Sequence, residues 1–218
     1  MADQDSRAGQ RYTTPAILEW LDELHAGHDP VLHQAFQAPE LRGLPPIMVG
    51  MSEGKLLGLL LRMIGAKKVV EFGTLAGYSA LRMAQALPAD GHLWTLELDV
   101  KHAAIAKENL EAAGLGARAT VLVGPALDWL RGLEKYAPFD AVFIDADKGN
   151  YDQYGAWAAK VLRPGGLLIG DNAYFFGRLL DEDDPEAAAM RRFHEEAKAR
   201  FDTVCIPTPD GLLLGIKR

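Results

Sequence analysis

A single cysteine, Cys205, occurs in the 218-residue chain, so no disulfide can form within it. That fits a reducing compartment. The polar opening "MADQDSRAGQRYTTP" lacks an apolar core of signal-peptide length, and no window resembles a membrane span. A cytoplasmic protein with no membrane partner is expected. Positive charge is in deficit: 23 Lys and Arg stand against 30 Asp and Glu, a net charge of −7. This argues against a general nucleic-acid or membrane-surface binder, which needs clustered cations. Internal repeats and low-complexity tracts are absent, which excludes solenoids and arrays. The six histidines (25, 28, 33, 92, 102 and 194) are scattered, and none is assigned to catalysis.

What is present is alternation. The first residues are polar and expected to fray. Helical spacing at Ile17, Leu18, Leu21 and Leu24 is followed by a second helix after Pro30, and by a break at "LRGLPPI", 41–47. A helix is predicted over 52–64 with Ser52 as its N-cap. Short β-rich runs then alternate with helical segments, with strands near 68–72, 92–97, 118–123, 139–145 and 166–170. Helices are predicted near 78–87, 101–113, 126–134 and 150–161. Such alternation implies right-handed crossovers and a parallel sheet covered on both faces. A helix over 185–200 precedes strands near 202–206 and 212–217, joined by the turn signal "PTPDG". The expected fold is a Rossmann-like, doubly wound α/β domain over 1–218. Its mostly parallel seven-stranded sheet ends in an antiparallel edge hairpin; residues 1–50 form an N-terminal helical cap and 51–218 the core.

The segment "VVEFGTLAGYSAL" (69–81) reads strand, glycine loop, helix. Gly73 and Gly77 permit close backbone approach, and the helix start offers unpaired N–H groups to an anion. Glu71 stands before the first glycine, and the middle glycine of a dinucleotide fingerprint is missing. Both features disfavour a pyrophosphate, whereas a carboxylate attracts an ammonium group. S-adenosylmethionine carries an ammonium and a carboxylate together. At the end of the second strand, Glu97 is the candidate acceptor for ribose hydroxyls and Asp99 the candidate helix cap. Ala126, after Gly124 and Pro125, is placed to approach an adenine through its backbone. These signals favour a class I methyltransferase over a nicotinamide-dependent dehydrogenase.

Two strand ends carry acids. Asp145 closes "FDAVFI" and Asp147 follows with the same parity; the next strand ends in Asp171-Asn172. Either acid alone reads as a cap or a solvated loop group. Together, two carboxylates and an amide oxygen form a hard donor set for Mg²⁺, with Ca²⁺ or Mn²⁺ as alternatives. Lys148 reads either as a surface lysine paired with Asp147, or as a catalytic cation or base that promotes a phenolate.

These pieces, "MSEGKLL", "EFGTLAGYSAL", "GPAL", "FIDADKGNY", "DN" at 171–172 and "DGLLLGIKR", resemble the cation-dependent class I O-methyltransferases of the caffeoyl-coenzyme A and catechol type. The resemblance runs from about Met48 to the C-terminus. It implies a metal held by Asp145, Asp171 and Asn172, with Asp145 and Lys148 as catalytic residues and Lys148 as the base. It implies adenosylmethionine contacts at Val49, Glu71, Gly73, Thr74, Ser79, Glu97, Ala126, Asp145 and Asp147, with Ser79 at the methionine carboxylate. Lys148, Tyr154 and Tyr174 are placed near an aromatic diol, and a homodimer is implied. The segment "DNAYFFGRLLDEDD" departs from the plant form "DNTLWNG", which puts a coenzyme A thioester acceptor in doubt. Tyr174, Phe175 and Phe176 read either as an acceptor wall or as a loop anchor or dimer contact. A non-catalytic adenosylmethionine-binding or dimerisation module is the rival of another class.

Overall fold

Residues 12–218 are described in the computed structural model; the frayed start expected for the first residues falls mostly outside them. Helix α1 (Pro15–Ala26) begins where Thr14 Oγ1 accepts the Ile17 N–H at 3.3 Å. Helix α2 (Pro30–Arg42) begins where Asp29 accepts the Leu32 N–H at 2.8 Å. Both place proline at the first helical position, where no N–H is needed. Helix α3 (Met51–Met63) corrects one expectation, because its cap is Gly50 and not Ser52. Glu53 reaches back to accept the Gly50 N–H at 2.9 Å, while the Ser52 hydroxyl donates to Asp22 of α1. A side chain three residues into the helix thus replaces the hydroxyl cap.

The α/β part runs β1 (Lys68–Phe72), α4 (Tyr78–Ala86), β2 (His92–Glu97), α5 (Val100–Ala112), β3 (Ala119–Val123), α6 (Ala126–Leu133), β4 (Phe139–Ile144), α7 (Tyr151–Val161) and β5 (Leu162–Gly170). Helix α8 (Pro185–Arg200), β6 (Phe201–Ile206) and β7 (Leu212–Lys217) close the chain. The sheet order is β3-β2-β1-β4-β5-β7-β6, parallel through β5, with β7 antiparallel to both β5 and β6. The doubly wound sheet with an antiparallel edge is therefore present as expected. Two irregularities escaped the sequence reading: β5 starts four residues early, and 3-10 turns occupy Lys148–Asn150 and Phe175–Gly177. The early start lies at a register shift between Phe139 and Ala141, which no side-chain periodicity records.

Alternate strand residues feed two cores. Val69, Ala141, Phe143 and Ile169 pack with Leu57, Leu61, Leu81 and Leu110 on one face. Val70, Phe72, Val142, Ile144 and Leu168 pack with Tyr154, Trp157 and Phe193 on the other. Each fully buried aliphatic or aromatic side chain contributes roughly 1.5–3 kcal/mol by burial. Leu32, Ala35 and Val49 belong to the first core, so the N-terminal helices share it with the sheet. No helix of the described residues is long and apolar enough to cross a membrane.

Strand order reverses between β1 and β4, because β2 and β3 lie on one side and β5 on the other. The carboxyl ends meet there closely: a Cβ built on Gly73 would lie 2.0 Å from the Asp145 carbonyl oxygen, and Gly73 has φ +92°. The first glycine of the loop thus answers to protein backbone as well as to any ligand. Gly73→Ala is expected to destabilise the fold by about 3 kcal/mol or more, from the left-handed backbone and the overlap together. Urea denaturation measures this; an unchanged midpoint would show that the β1 and β4 ends can part freely.

Candidate active site

A cavity of about 910 Å³ opens at this switch point. Its walls are the β1–α4 loop, the ends of β2 and β4, the start of α6, and the segments at 47–49 and 145–150. Open doubly wound sheets place their ligands outside the carboxyl ends of strands, at such a reversal. Of the residues expected at a nucleoside cofactor, Val49, Gly73, Thr74, Ser79, Glu97, Ala126, Asp145 and Asp147 line this cavity.

Glu71 does not line it. It is fully buried behind the wall, accepting hydrogen bonds from the Ser79 hydroxyl and, at 2.6 Å, from Thr95 Oγ1. Thr95 in turn meets Thr74 Oγ1 at 2.5 Å. Glu71 thus stands behind the cavity wall and is linked to it through the hydroxyl of Ser79 and, by way of Thr95, that of Thr74. Burial pushes its carboxyl up to about 8, against the hydrogen bonds from Ser79 and Thr95. In the unfolded chain a glutamate ionises near 4.5, so between those values the folded state binds more protons. Stability of the ligand-free protein is accordingly expected to fall as pH rises from about 4.5 towards 8, and Glu71→Gln to remove that slope. Chemical denaturation across this range measures it, and an unaltered slope in Glu71→Gln would refute the assignment.

Glu97 organises the loop. Its Oε2 accepts N–H groups of Thr74 at 3.2 Å and Leu75 at 2.8 Å, and its Oε1 accepts that of Asp99 at 2.9 Å. His102 Nδ1 stands 3.6 Å from Oε1. Asp99 caps α5 through the N–H groups of Lys101 and His102. Helix α4 starts at Gly77, with φ +86° and no side chain to cap it, so its first N–H groups are left for a ligand anion.

On the other side of the cavity, parallel pairing sets Ile144 of β4 against Gly170 of β5. Asp145 and Asp171 therefore follow as neighbours, and the Asp171 N–H donates to the Ile144 carbonyl at 2.9 Å. Burial raises the Asp171 carboxyl well above its usual range, and the like charge of Asp145 raises it further. Lys148 Nζ sits 3.1 Å from Asp145 Oδ1 and donates to the Tyr151 hydroxyl at 2.8 Å. The alternative pairing of Lys148 with Asp147 is thus replaced by one with Asp145. Asp147 is instead bound by the Tyr154 hydroxyl at 2.6 Å and by the Asn150 amide.

Lys148, Tyr154 and Asn172 line the cavity, whereas Asp171 lies just behind its surface. Tyr154 is 1% exposed and stacks on Phe72 at 4.6 Å, so it acts on the cavity mainly by holding Asp147. Tyr174, expected beside an acceptor, packs its ring on Gly211, where a Cβ would lie 2.6 Å from it, and is not among the residues lining the cavity. Phe175 is core, and the aromatic side chain of that loop which does line the cavity is Phe176. A run of three aromatics has no periodicity from which to choose the one that faces in. Of the loop acids, Asp184 caps α8 and pairs with Arg178 at 2.7 Å.

Sequence reasoning missed the role of Tyr151. Its buried hydroxyl accepts from Lys148 and lies 3.2 Å from the Ile144 carbonyl and 3.1 Å from that of Asp171. Burial and the neighbouring aspartates raise its pKa well above that of a free phenol. The spacing Lys148–Tyr151, three residues across a helix start, was the available signal.

An acid-preceded glycine loop, a strand-end acid after β2 and a β7 antiparallel to β5 define a class I methyltransferase. The comparisons go further: a family model described as O-methyltransferase matches residues 23–218, and the chain belongs to that family. It is 43% identical to the catechol O-methyltransferase of Niastella koreensis over 183 residues, 82% of this chain and 83% of that protein. It is 42% identical to the catechol O-methyltransferase of Mycobacterium tuberculosis over 184 residues, 84% of this chain and 83% of that one. The O-methyltransferase of Bacillus cereus, solved in complex with SAH, superposes with a TM-score of 0.89 at 37% identity, covering 93% of this chain and 97% of that one. The Streptomyces achromogenes O-methyltransferase of tomaymycin synthesis, solved with SAM, superposes with a TM-score of 0.87 at 34% identity over 100% and 99%. This protein is an S-adenosylmethionine-dependent O-methyltransferase.

Proposed function

We propose that the acceptor is a vicinal aromatic diol, catechol-like, that the reaction depends on a divalent cation, and that Asp145, Asp171 and Asn172 hold the cation. The observation that carries this is the adjacency of those residues at the ends of β4 and β5, with Lys148 beside Asp145 at the cavity wall. Among the described residues no three His, Cys, Asp or Glu side chains gather as metal ligands; the set here is two carboxylates and one amide. That donor chemistry fits Mg²⁺, Ca²⁺ or Mn²⁺ and not zinc. Burial, and then the like charge of Asp145, hold the Asp171 carboxyl high, and a cation between the two carboxylates would relieve both. Bound there, a divalent cation supplies Lewis acidity and a template for two adjacent oxygens.

The remaining work falls to the chain. The loop at 73–79 and the start of α4 orient the methionine end of adenosylmethionine, with Ser79 nearest its carboxylate. Glu97 faces the ribose, and Val49, Ala126 and Asp147 enclose the cofactor. Lys148, held as a cation between Asp145 and Tyr151, stabilises the acceptor oxygen as its proton passes to solvent. That oxygen attacks the sulfonium methyl in line, the methyl–sulfur bond breaks, and S-adenosylhomocysteine leaves. No covalent enzyme intermediate is needed, since positioning and charge stabilisation carry the step. The protein would act in the cytoplasm, and the exposed Ile17, Trp20 and Leu24 of α1 support a homodimer.

A mass-spectrometric screen of catechols, flavonoids and hydroxycinnamates with adenosylmethionine tests the acceptor class. Catechols are expected to turn over with Mg²⁺ and to stop after EDTA, with recovery when Mg²⁺ is restored. Full activity after chelation would overturn the metal reading.

A further inference from the structure

The turn between β6 and β7 reaches across to the site through one side chain, Asp210. Its Oδ2 accepts from Asn172 Nδ2 at 2.8 Å, and its Oδ1 accepts the Phe176 N–H at 3.1 Å. Backbone bonds reinforce the contact, for the N–H groups of Ala173 and Tyr174 donate to the carbonyls of Gly211 and Asp210, each at 2.9 Å. The segment so held is unusual. Asn172, Phe175 and Phe176 all have positive φ, at +52°, +49° and +52°. Side-chain-bearing residues cost of order 1–3 kcal/mol each in sparsely populated backbone regions, and persist only where the surroundings over-determine them. Here the surroundings are the β6–β7 turn.

A carboxylate can only accept hydrogen bonds, whereas a primary amide both donates and accepts. Asp210 therefore selects one of the two flips of the Asn172 amide: the NH₂ group faces Asp210, and Oδ1 is presented on the opposite side. Asn172 and Phe176 both line the cavity, so the same carboxylate sets one oxygen donor and one aromatic wall.

We propose that Asp210 is a positioning residue, which fixes the Asn172 amide oxygen for a divalent cation and pins Phe176 against the acceptor. This rests on the metal reading given above. Without Asp210 the amide is free to turn its NH₂ group towards the cation site, where it repels a cation and donates no lone pair. Partners that orient ligands in this way typically alter metal affinity about 10–100-fold when removed.

The test is Mn²⁺ binding, read by electron paramagnetic resonance on the full chain without adenosylmethionine or acceptor. The variants are Asp210→Ala, Asp210→Asn and, as control, Asp171→Ala. Wild type is expected to bind Mn²⁺ and Asp171→Ala to lose it, while Asp210→Ala weakens binding about 10-fold. Asp210→Asn keeps the shape but offers one acceptor to two donors, so an intermediate loss is expected. If Asp210→Ala fails to fold, Asp210→Asn carries the test. SAH binding by calorimetry should stay within about twofold of wild type in both, since no side-chain bond of Asp210 reaches the glycine loop, and the KM for a catechol should rise. Mn²⁺ affinity unchanged in both Asp210 variants, with Asp171→Ala still defective, overturns the proposal alone. Equal Mn²⁺ binding by wild type and Asp171→Ala overturns the metal reading and this proposal with it.

Discussion

Asp171→Ala is expected to lower the turnover of a catechol on the order of 10³-fold or more, since a Lewis acid supplies several kcal/mol to such a step. The same substitution should leave the melting temperature unchanged or higher. Asp171 is 7% exposed, and its carboxyl is raised by burial and by Asp145, so in the metal-free protein it is a source of repulsion. Its main-chain bonds to Ile144 and Tyr151 survive in alanine, and loss of the Asn172 N–H bond that the carboxylate accepts at 2.8 Å is offset by the repulsion removed. Binding of SAH should persist, because Asp171 does not line the cavity at the glycine loop. A purely structural aspartate would show the reverse, with stability lost along with activity. Initial rates, a thermal melt and a calorimetric titration with SAH decide between them. Retained turnover would remove Asp171 from the site.

Lys148→Met should reduce kcat by about 10²–10⁴-fold, the usual range for a positioned proton-transfer group. Methionine keeps the unbranched stem while removing the charge, so packing beside Tyr151 is largely preserved. The loss should depend on pH. An unperturbed phenol ionises near about 10, so the deficit should narrow as pH approaches that value and solvent makes the phenolate that Lys148 otherwise promotes. A pH–rate profile for wild type and variant reads this directly. A deficit that stays constant to high pH points to Lys148 serving only to orient Asp145, to which it is bound at 3.1 Å. An unchanged kcat would exclude it from the chemistry.

Much of this site was legible because its elements are local. Strand-to-loop transitions at Phe72-Gly73, Ile144-Asp145 and Gly170-Asp171 mark where the chain leaves the sheet, and a parallel sheet puts all such exits on one edge. Adjacency of β4 and β5 then brought Asp145 and Asp171 together, as consecutive strands of a parallel sheet can do. Other placements came only with the folded chain. Ser52 lost the cap to Gly50 because Glu53 folds back. Glu71, expected at an ammonium group, is bound by Thr95 and Ser79, a pairing across β2 and α4 that residue spacing does not record. Of Tyr174, Phe175 and Phe176, only Phe176 lines the cavity, a choice hidden in a segment whose left-handed residues break every periodicity.

The sequence by itself determined the order and type of the elements, the edge on which the site lies, and the hard-oxygen character of its acids. These depend on side-chain period and on contacts a few residues apart. Only the tertiary structure decided which groups partner which. Lys148 pairs with Asp145 and Tyr151, Asp147 with Tyr154, and Asp210, from a turn 38 residues downstream, holds Asn172. Such pairings are set by the twist and register of strands distant in sequence, and residue spacing carries no record of them.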